Sequence, residues 1–241
     1  MRDVLVLCYH AISPTWRAML SITPERLDAQ LALLASRGYR GATFLDAVTA
    51  PPHERTVAIT FDDSYRSVGE LARPLLDLHG FPATVFVPTE YAGAEQPRGW
   101  QGTDHWLETE HAGELKPMSW DELAELAAAG WEIGSHTKSH PHLTELGDAE
   151  LAAELGESKA ECERRLGVPC RTLAYPYGDE DGRVVAATVE AGYEAAAALR
   201  SRGSRNPQRH VWPRVGVWVD TDMRRFRVKM SPAVRWLRAT R

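Results

Sequence analysis

Short apolar runs alternate with longer stretches whose apolar positions recur every three or four residues along the chain. Runs of four to eight bounded by turn residues read as buried strands, and the longer periodic stretches as amphipathic helices. Val4–Cys8 is the first run, with Tyr9 and His10 in the loop after it. Thr23 and Pro24 open a helix, Thr as N-cap and Pro at the first helical position, with Leu27, Leu31 and Leu34 on one face up to Gly38. A short strand over Tyr39–Leu45, a helix near Asp46–Thr49 and a strand through Val57–Ile59 follow. Ser64–His79 has helical spacing that Pro74 should kink or split. Strands are then predicted at Ala83–Val87, Trp131–Ser135, Cys170–Tyr175, Ala195–Leu199 and Val211–Val219, the last interrupted by Pro213. Between them lie helices that start at the Ser119/Glu122 capping box and end at Gly130, and that cover Asp148–Leu166 and Gly182–Ala191. This alternation predicts an α/β fold with a parallel barrel or open sheet, formed by a single domain over 1–241. The Gly-rich stretch at about 90–117, with Trp100 and Trp106, is expected to be an irregular insertion over a site.

Three strand ends carry candidate chemistry. Thr60-Phe61-Asp62-Asp63 closes one strand with two adjacent carboxylates. Neighbouring side chains on a strand point to opposite faces, so the pair can share one orientation only where the chain is already turning. Such a pair either caps the next helix or divides labour, one carboxylate holding a metal and the other moving protons. Gly134-Ser135-His136-Thr137-Lys138-Ser139-His140-Pro141-His142-Leu143 follows a second strand. A tight turn there lets His136 and His140 converge on one ion, and a carboxylate from the first strand end would complete a two-His, one-carboxylate site with open positions. Leu173-Ala174-Tyr175-Pro176-Tyr177-Gly178 ends a third strand in a turn whose backbone N–H can face a reacting oxygen.

In order and spacing these three stretches resemble the motifs of the polysaccharide deacetylases, the NodB-homology family or carbohydrate esterase family four. The resemblance covers most of the chain. It implies a distorted (β/α) barrel of about seven parallel strands and metal-dependent removal of N-acetyl or O-acetyl groups from a sugar, glycan or glycolipid. Matched by position, Asp62 would be the general base, and Asp63, His136 and His140 the ligands of one divalent ion, Zn2+ first and Co2+, Ni2+ or Fe2+ as alternatives. The Tyr177 N–H would be the oxyanion donor, with Pro176, Tyr177, Leu143 and Trp212 as substrate contacts. The chain also departs from the family pattern. Ser64 stands where Gly is usual, Ala174 where an Arg often opens the third motif, and no late Leu-x-His is present. Val6-Leu7-Cys8-Tyr9-His10 instead resembles the opening motif of a rearranged branch that includes the biofilm poly-N-acetylglucosamine deacetylases, in which the last barrel strand comes first. That resemblance gives His10 the acid role and makes Arg214 the candidate to hold Asp62. A deformylase on a lipid-linked sugar and a catalytically silent glycan-binding barrel are the alternatives.

Composition adds less. No stretch approaches the roughly 20 apolar residues of a membrane span, and the first apolar run is too short for a signal peptide. Cys8, Cys162 and Cys170 lack metal-type spacing, so a reduced, cytoplasmic setting is expected. From Asp222 onward seven Arg or Lys oppose one Asp, a tail of +6 on a chain of net −5. With Phe226, Val228, Met230, Trp236 and Leu237 this tail is a candidate contact for anionic membrane, and no nucleic-acid partner is expected. Trp100, Trp106 and Trp212 are candidate stacking surfaces for a sugar face.

Overall fold

Alternation along each strand divides this molecule into a barrel interior and a surrounding helical layer. The computed structural model describes residues 3–49, 55–199 and 208–238. In chain order the strands are β1 (Asp3–Tyr9), β2 (Ala11–Ile12), β3 (Ser21–Ile22), β4 (Arg40–Ala42), β5 (Arg55–Phe61), β6 (Ala83–Val87), β7 (Glu132–Ser135), β8 (Thr172–Ala174), β9 (Ala195–Ala198), β10 (Trp212–Pro213) and β11 (Val215–Gly216). The helices are α1 (Pro24–Ser36), α2 (Phe44–Thr49), α3 (Arg73–His79), α4 (Trp120–Ala128), α5 (Asp148–Leu166), α6 (Gly182–Glu190), α7 (Met223–Met230) and α8 (Pro232–Arg238).

The sheet runs β10-β9-β8-β7-β6-β5-β1-β11 through parallel pairs, with β4 beside the first half of β5. β10 and β11 flank Arg214 in one stretch of chain, pairing with β9 on one side and β1 on the other. This segment brings the two ends of the sheet together into a nearly closed, distorted barrel. Counting it once, β1 and β5 to β9 complete seven staves. The final strand, expected over Val211–Val219 with an interruption at Pro213, is two short pairings on either side of Arg214, β10 and β11. Pro213 has no N–H for a ladder, and the Arg214 N–H goes to the Ala198 carbonyl while Val217 N–H goes to that of Cys8.

Leu5, Leu7, Val57, Ile59 and Phe61 face outward and pack with Leu27, Leu31, Leu76 and Leu123 of the helices. The intervening positions build the interior in layers. Glu132 forms the lowest, accepting hydrogen bonds from Thr84 Oγ1 (2.9 Å), Thr172 Oγ1 (2.6 Å) and the Leu45 N–H (3.0 Å). Val6, Ala58, Phe86, Ala174, Ala195, Ala197 and Trp212 fill the middle. Four consecutive alanines are poor strand formers, yet the two that face inward, Ala195 and Ala197, must be small because Phe86 and Trp212 share that layer. The uppermost layer, at the C-terminal ends of the strands, is polar.

Two further differences from the expected elements have local causes. The helix before Pro74 widens to a π turn over Val68–Ala72, which relieves the clash between the proline ring and the carbonyl four residues earlier. The basic tail folds back on the body: Asp222 caps α7, and Phe226 and Met230 are buried in the main core. Lys229 Nζ donates to the Gly216 carbonyl at 2.7 Å, and Arg225 pairs with Asp220. Two apolar residues of the expected membrane contact are thus internal. The side chains of Trp236, Leu237 and Arg238, and all of Arg241, lie outside the described residues, as does His53. Among the described residues no helix is long and apolar enough to cross a membrane.

Candidate active site

Cys8, Thr60, Asp62, His136 and Arg214 continue the inward-facing positions of their strands to the barrel mouth. Asp62 retains the strand's alternation, whereas Asp63 adopts φ 69° and Ser64 φ 49°. This left-handed turn brings Asp63, which a continued strand would turn outward, into the same site as Asp62. Non-glycine residues enter that region at a cost of about 1 kcal/mol or more each, so the surroundings must hold the turn. They do so in part through the Met118 N–H, which donates to the Ser64 carbonyl at 2.8 Å.

The histidine loop is held in the same way. Thr137 and His140 have φ of 65° and 61°. Glu154 of α5 accepts from the N–H groups of Lys138 (2.8 Å) and Ser139 (2.9 Å), and Thr137 Oγ1 accepts from the His140 N–H (3.1 Å). The result places His136 Nε2 at 3.5 Å and His140 Nε2 at 3.4 Å from Asp63 Oδ1. All three donor atoms lie within 4.8 Å of one another and are buried. His136 Nδ1 faces the Ala174 carbonyl at 2.8 Å, which sets the tautomer that leaves an Nε2 lone pair toward Asp63. Asp63 Oδ1 is buried without a hydrogen bond. Burial and the neighbouring Asp62 charge drive the Asp63 carboxyl well above the usual range, while burial lowers both histidines. Two neutral imidazoles and a carboxyl group whose anion has no Arg or Lys partner among the described residues are a donor set that fits a divalent cation.

Asp62 is held differently. Arg214 clamps it with two bonds, Nη1 to Oδ1 at 2.6 Å and Nη2 to Oδ2 at 2.8 Å, and Nη1 also reaches Thr60 Oγ1 at 3.0 Å. The guanidinium is fully buried and lies 5.4 Å above the Phe86 ring of the middle layer. Burial raises the Asp62 carboxyl, but Arg214, His136 and His10 overcome this and keep it ionised well below the usual range. Cys8 Sγ donates to Asp62 Oδ2 at 3.4 Å. His10 Nε2 stands 3.9 Å from that oxygen, and burial is the main force pulling this imidazole down to about 4.

These groups open into one cavity of about 510 Å³, walled by Trp16, Met19, Trp100, Trp106, Tyr177 and Trp218. Tyr177 adopts φ 59° in the turn after β8 and stacks on His142 at 4.0 Å. The structure thus brings His10, Asp62, Asp63, His136, His140, Tyr177 and Arg214 to one place. It does not bring Leu143, Pro176 or Trp212 to the cavity wall. Leu143 is fully buried in the core outside β8, Pro176 is buried beneath its turn, and Trp212 belongs to the layer below Arg214.

Three contributors escaped the sequence reading, two of which period-2 spacing marks. Cys8 shares a face with His10. Trp218 shares one with Arg214 and Gly216, and its ring lies 5.3 Å from that of His10. A Cβ on Gly216 would meet the Trp218 ring at 2.6 Å, so the missing side chain makes room for the indole. Trp16, from the loop between β2 and β3, packs edge-on against Trp106 at 5.7 Å and closes the opposite wall.

Comparison with known proteins follows the same outline. The family model for polysaccharide deacetylase matches residues 49–196. Poly-beta-1,6-N-acetyl-D-glucosamine N-deacetylase of Staphylococcus aureus is 25% identical over 209 residues, which cover 81% of this chain and 67% of that protein. The Streptococcus pyogenes deacetylase PplD, solved in complex with acetate, shares the fold with a TM-score of 0.79 at 22% identity, over 95% of this chain and 99% of that one. IcaB from Ammonifex degensii shares it at 0.77 and 24% identity, over 96% and 98%. The matched model spans more than half of the sequence, and the chain belongs to the polysaccharide deacetylase family.

Proposed function

We propose that this protein is a metal-dependent N-deacetylase acting on a polymer or conjugate of acetylated amino sugars, with Asp63, His136 and His140 holding one divalent ion, Zn2+ by preference. The observation that carries this reading is the contrast between two adjacent carboxylates. Asp63 faces two imidazole nitrogens and, among the described residues, pairs with no Arg or Lys, whereas Asp62 is neutralised by Arg214 and directed into the same cavity. An ion held at Asp63 would polarise the acyl carbonyl and lower the pKa of a water at the site.

The protein's own groups supply the rest. Asp62, kept ionised by Arg214, takes the proton of the attacking water at Oδ2, the oxygen nearest His10. The Tyr177 N–H donates to the developing oxyanion. His10 protonates the leaving amine at Nε2. Burial keeps its resting form neutral at pH 7, so the proton it delivers arrives within turnover. Asp62, which has taken the proton of the water, is its source, with Oδ2 3.9 Å from Nε2 before substrate binds. No limb of the pH–rate profile near the ordinary histidine pKa is then expected from His10. His10→Ala should lower kcat on N-acetyl substrates by about 10² or more while sparing activated esters, whose leaving groups need little protonation. Equal losses on both substrate types would remove His10 from the acid role.

Metal analysis tests the ligand set. Purified protein should carry about one divalent ion per chain, and His136→Ala should lose most of it. Stoichiometric metal in the His136→Ala/His140→Ala double variant would reject the assignment. An assay that scores acetate and formate separately distinguishes deacetylation from deformylation.

A further inference from the structure

His136 and His140 are oriented by different means. His136 is fixed by the hydrogen bond between its Nδ1 and the Ala174 carbonyl. The buried Nδ1 of His140 finds no hydrogen-bond partner on another of the described residues. Its ring is instead surrounded by other rings. Trp100 lies nearly parallel to it, 4.4 Å between centroids at 27°, and Tyr177 and His136 meet it edge-on at 4.6 Å and 4.8 Å.

Trp100 is itself fixed. Its ring stacks with Tyr65 (6.3 Å, 23°) and packs against Tyr91 (5.6 Å, 31°). Its backbone closes a tight turn: the carbonyl accepts from the N–H groups of Thr103 (2.8 Å) and Asp104 (2.9 Å), and its N–H donates to Thr103 Oγ1 (3.1 Å). Thr103 is nearly fully buried. An indole locked in this way restricts rotation of the imidazole about its Cβ–Cγ bond, which a missing Nδ1 hydrogen bond would otherwise leave free. A ligand ring free to rotate loses affinity because it must be ordered when the ion binds.

We infer that Trp100 is a positioning residue for the metal site, replacing with a stacked ring the hydrogen bond that His140 lacks, so that the insertion at about 90–117 sets metal affinity as well as covering the cavity. The inference rests on the proposed ligand set. It also assigns Trp100 a role other than the sugar-stacking surface expected from the sequence, since the indole is already engaged with His140.

The test measures zinc affinity of the full chain against a chromophoric chelator for wild type, Trp100→Phe, Trp100→Leu and Trp100→Ala. Trp100→Leu fills volume without a ring, so it separates stacking from packing if Trp100→Ala folds poorly. Removing a group that orients a metal ligand commonly costs about 10- to 100-fold in metal affinity. Trp100→Ala and Trp100→Leu should weaken zinc binding within that range, Trp100→Phe should retain most of the affinity, and bound Co2+ should show an altered visible spectrum only in the first two. Unchanged zinc affinity in Trp100→Leu and Trp100→Ala, with only KM raised, would overturn the inference and return Trp100 to a substrate contact. Wild-type protein that binds no zinc would refute the ligand set itself, whereas zinc lost from His136→Ala but kept by Trp100→Leu would refute only the role of Trp100.

Discussion

Asp62→Asn should retain its metal and lose on the order of 10² or more in kcat, the usual range for removing a general base. The amide keeps the shape of the carboxylate and one acceptor toward Arg214, but it cannot take a proton from water. Asp63→Asn, one residue away, should do the reverse. Its oxygen lies between His136 and His140. A neutral ligand there should weaken metal binding, with activity partly restored by excess metal. Metal content and kcat measured on both variants decide the matter, and matching behaviour of the two would end the division of labour between neighbouring carboxylates.

Arg214→Met should be the most damaging substitution for stability. Removing one member of a buried ion pair costs about 3–5 kcal/mol, because the remaining charge is left without compensation. Here Asp62 is nearly fully buried and would lose both bonds of its clamp. The sign of the pH dependence follows. In the wild type Arg214 holds the Asp62 carboxyl low, so its contribution is present above the unfolded carboxylate pKa and fades only as the solution becomes strongly acidic. Without the guanidinium, burial is opposed only by the histidines and the folded pKa rises, so the variant regains stability as pH falls toward the unfolded value. The deficit measured by denaturant unfolding of the metal-free protein should therefore be largest near neutral pH and shrink toward pH 4. Asp62→Leu/Arg214→Met should be less destabilised than Arg214→Met alone, since no charge is left behind. A deficit that does not vary with pH would mean that the clamp holds shape rather than charge.

How far the sequence could be read depended on how local each feature is. The strand ends at Asp62, His136 and Tyr177 are marked by contiguous residues, and the alternation of strands and helices implies that such ends meet at one rim of a barrel. Arg214 was also within reach, through the resemblance to the rearranged branch rather than through any local pattern, and it does clamp Asp62. Layer height was not legible. Trp212 and Arg214 face the same way, yet two residues along a strand separate the packed middle layer from the polar mouth. Leu143 follows the histidine motif closely, but its short helical turn carries it into the core under α5 and α6. Pro213 marks the break in the last strand, but that one half pairs with β9 and the other with β1 is recorded by no local pattern. The packing of the basic tail was hidden for a similar reason: charge counts do not show that Phe226 and Met230 turn inward and that Lys229 reaches the Gly216 carbonyl.

The most direct test of the whole account is a zinc titration of chelator-stripped protein while acetate release from N-acetylglucosamine oligomers is followed. Acetate release should rise in proportion to bound zinc and level off at about one ion per chain, and the His136→Ala/His140→Ala variant should release none at any zinc concentration tested. Acetate released at the full rate by the stripped wild-type protein, or by the double variant, would contradict it.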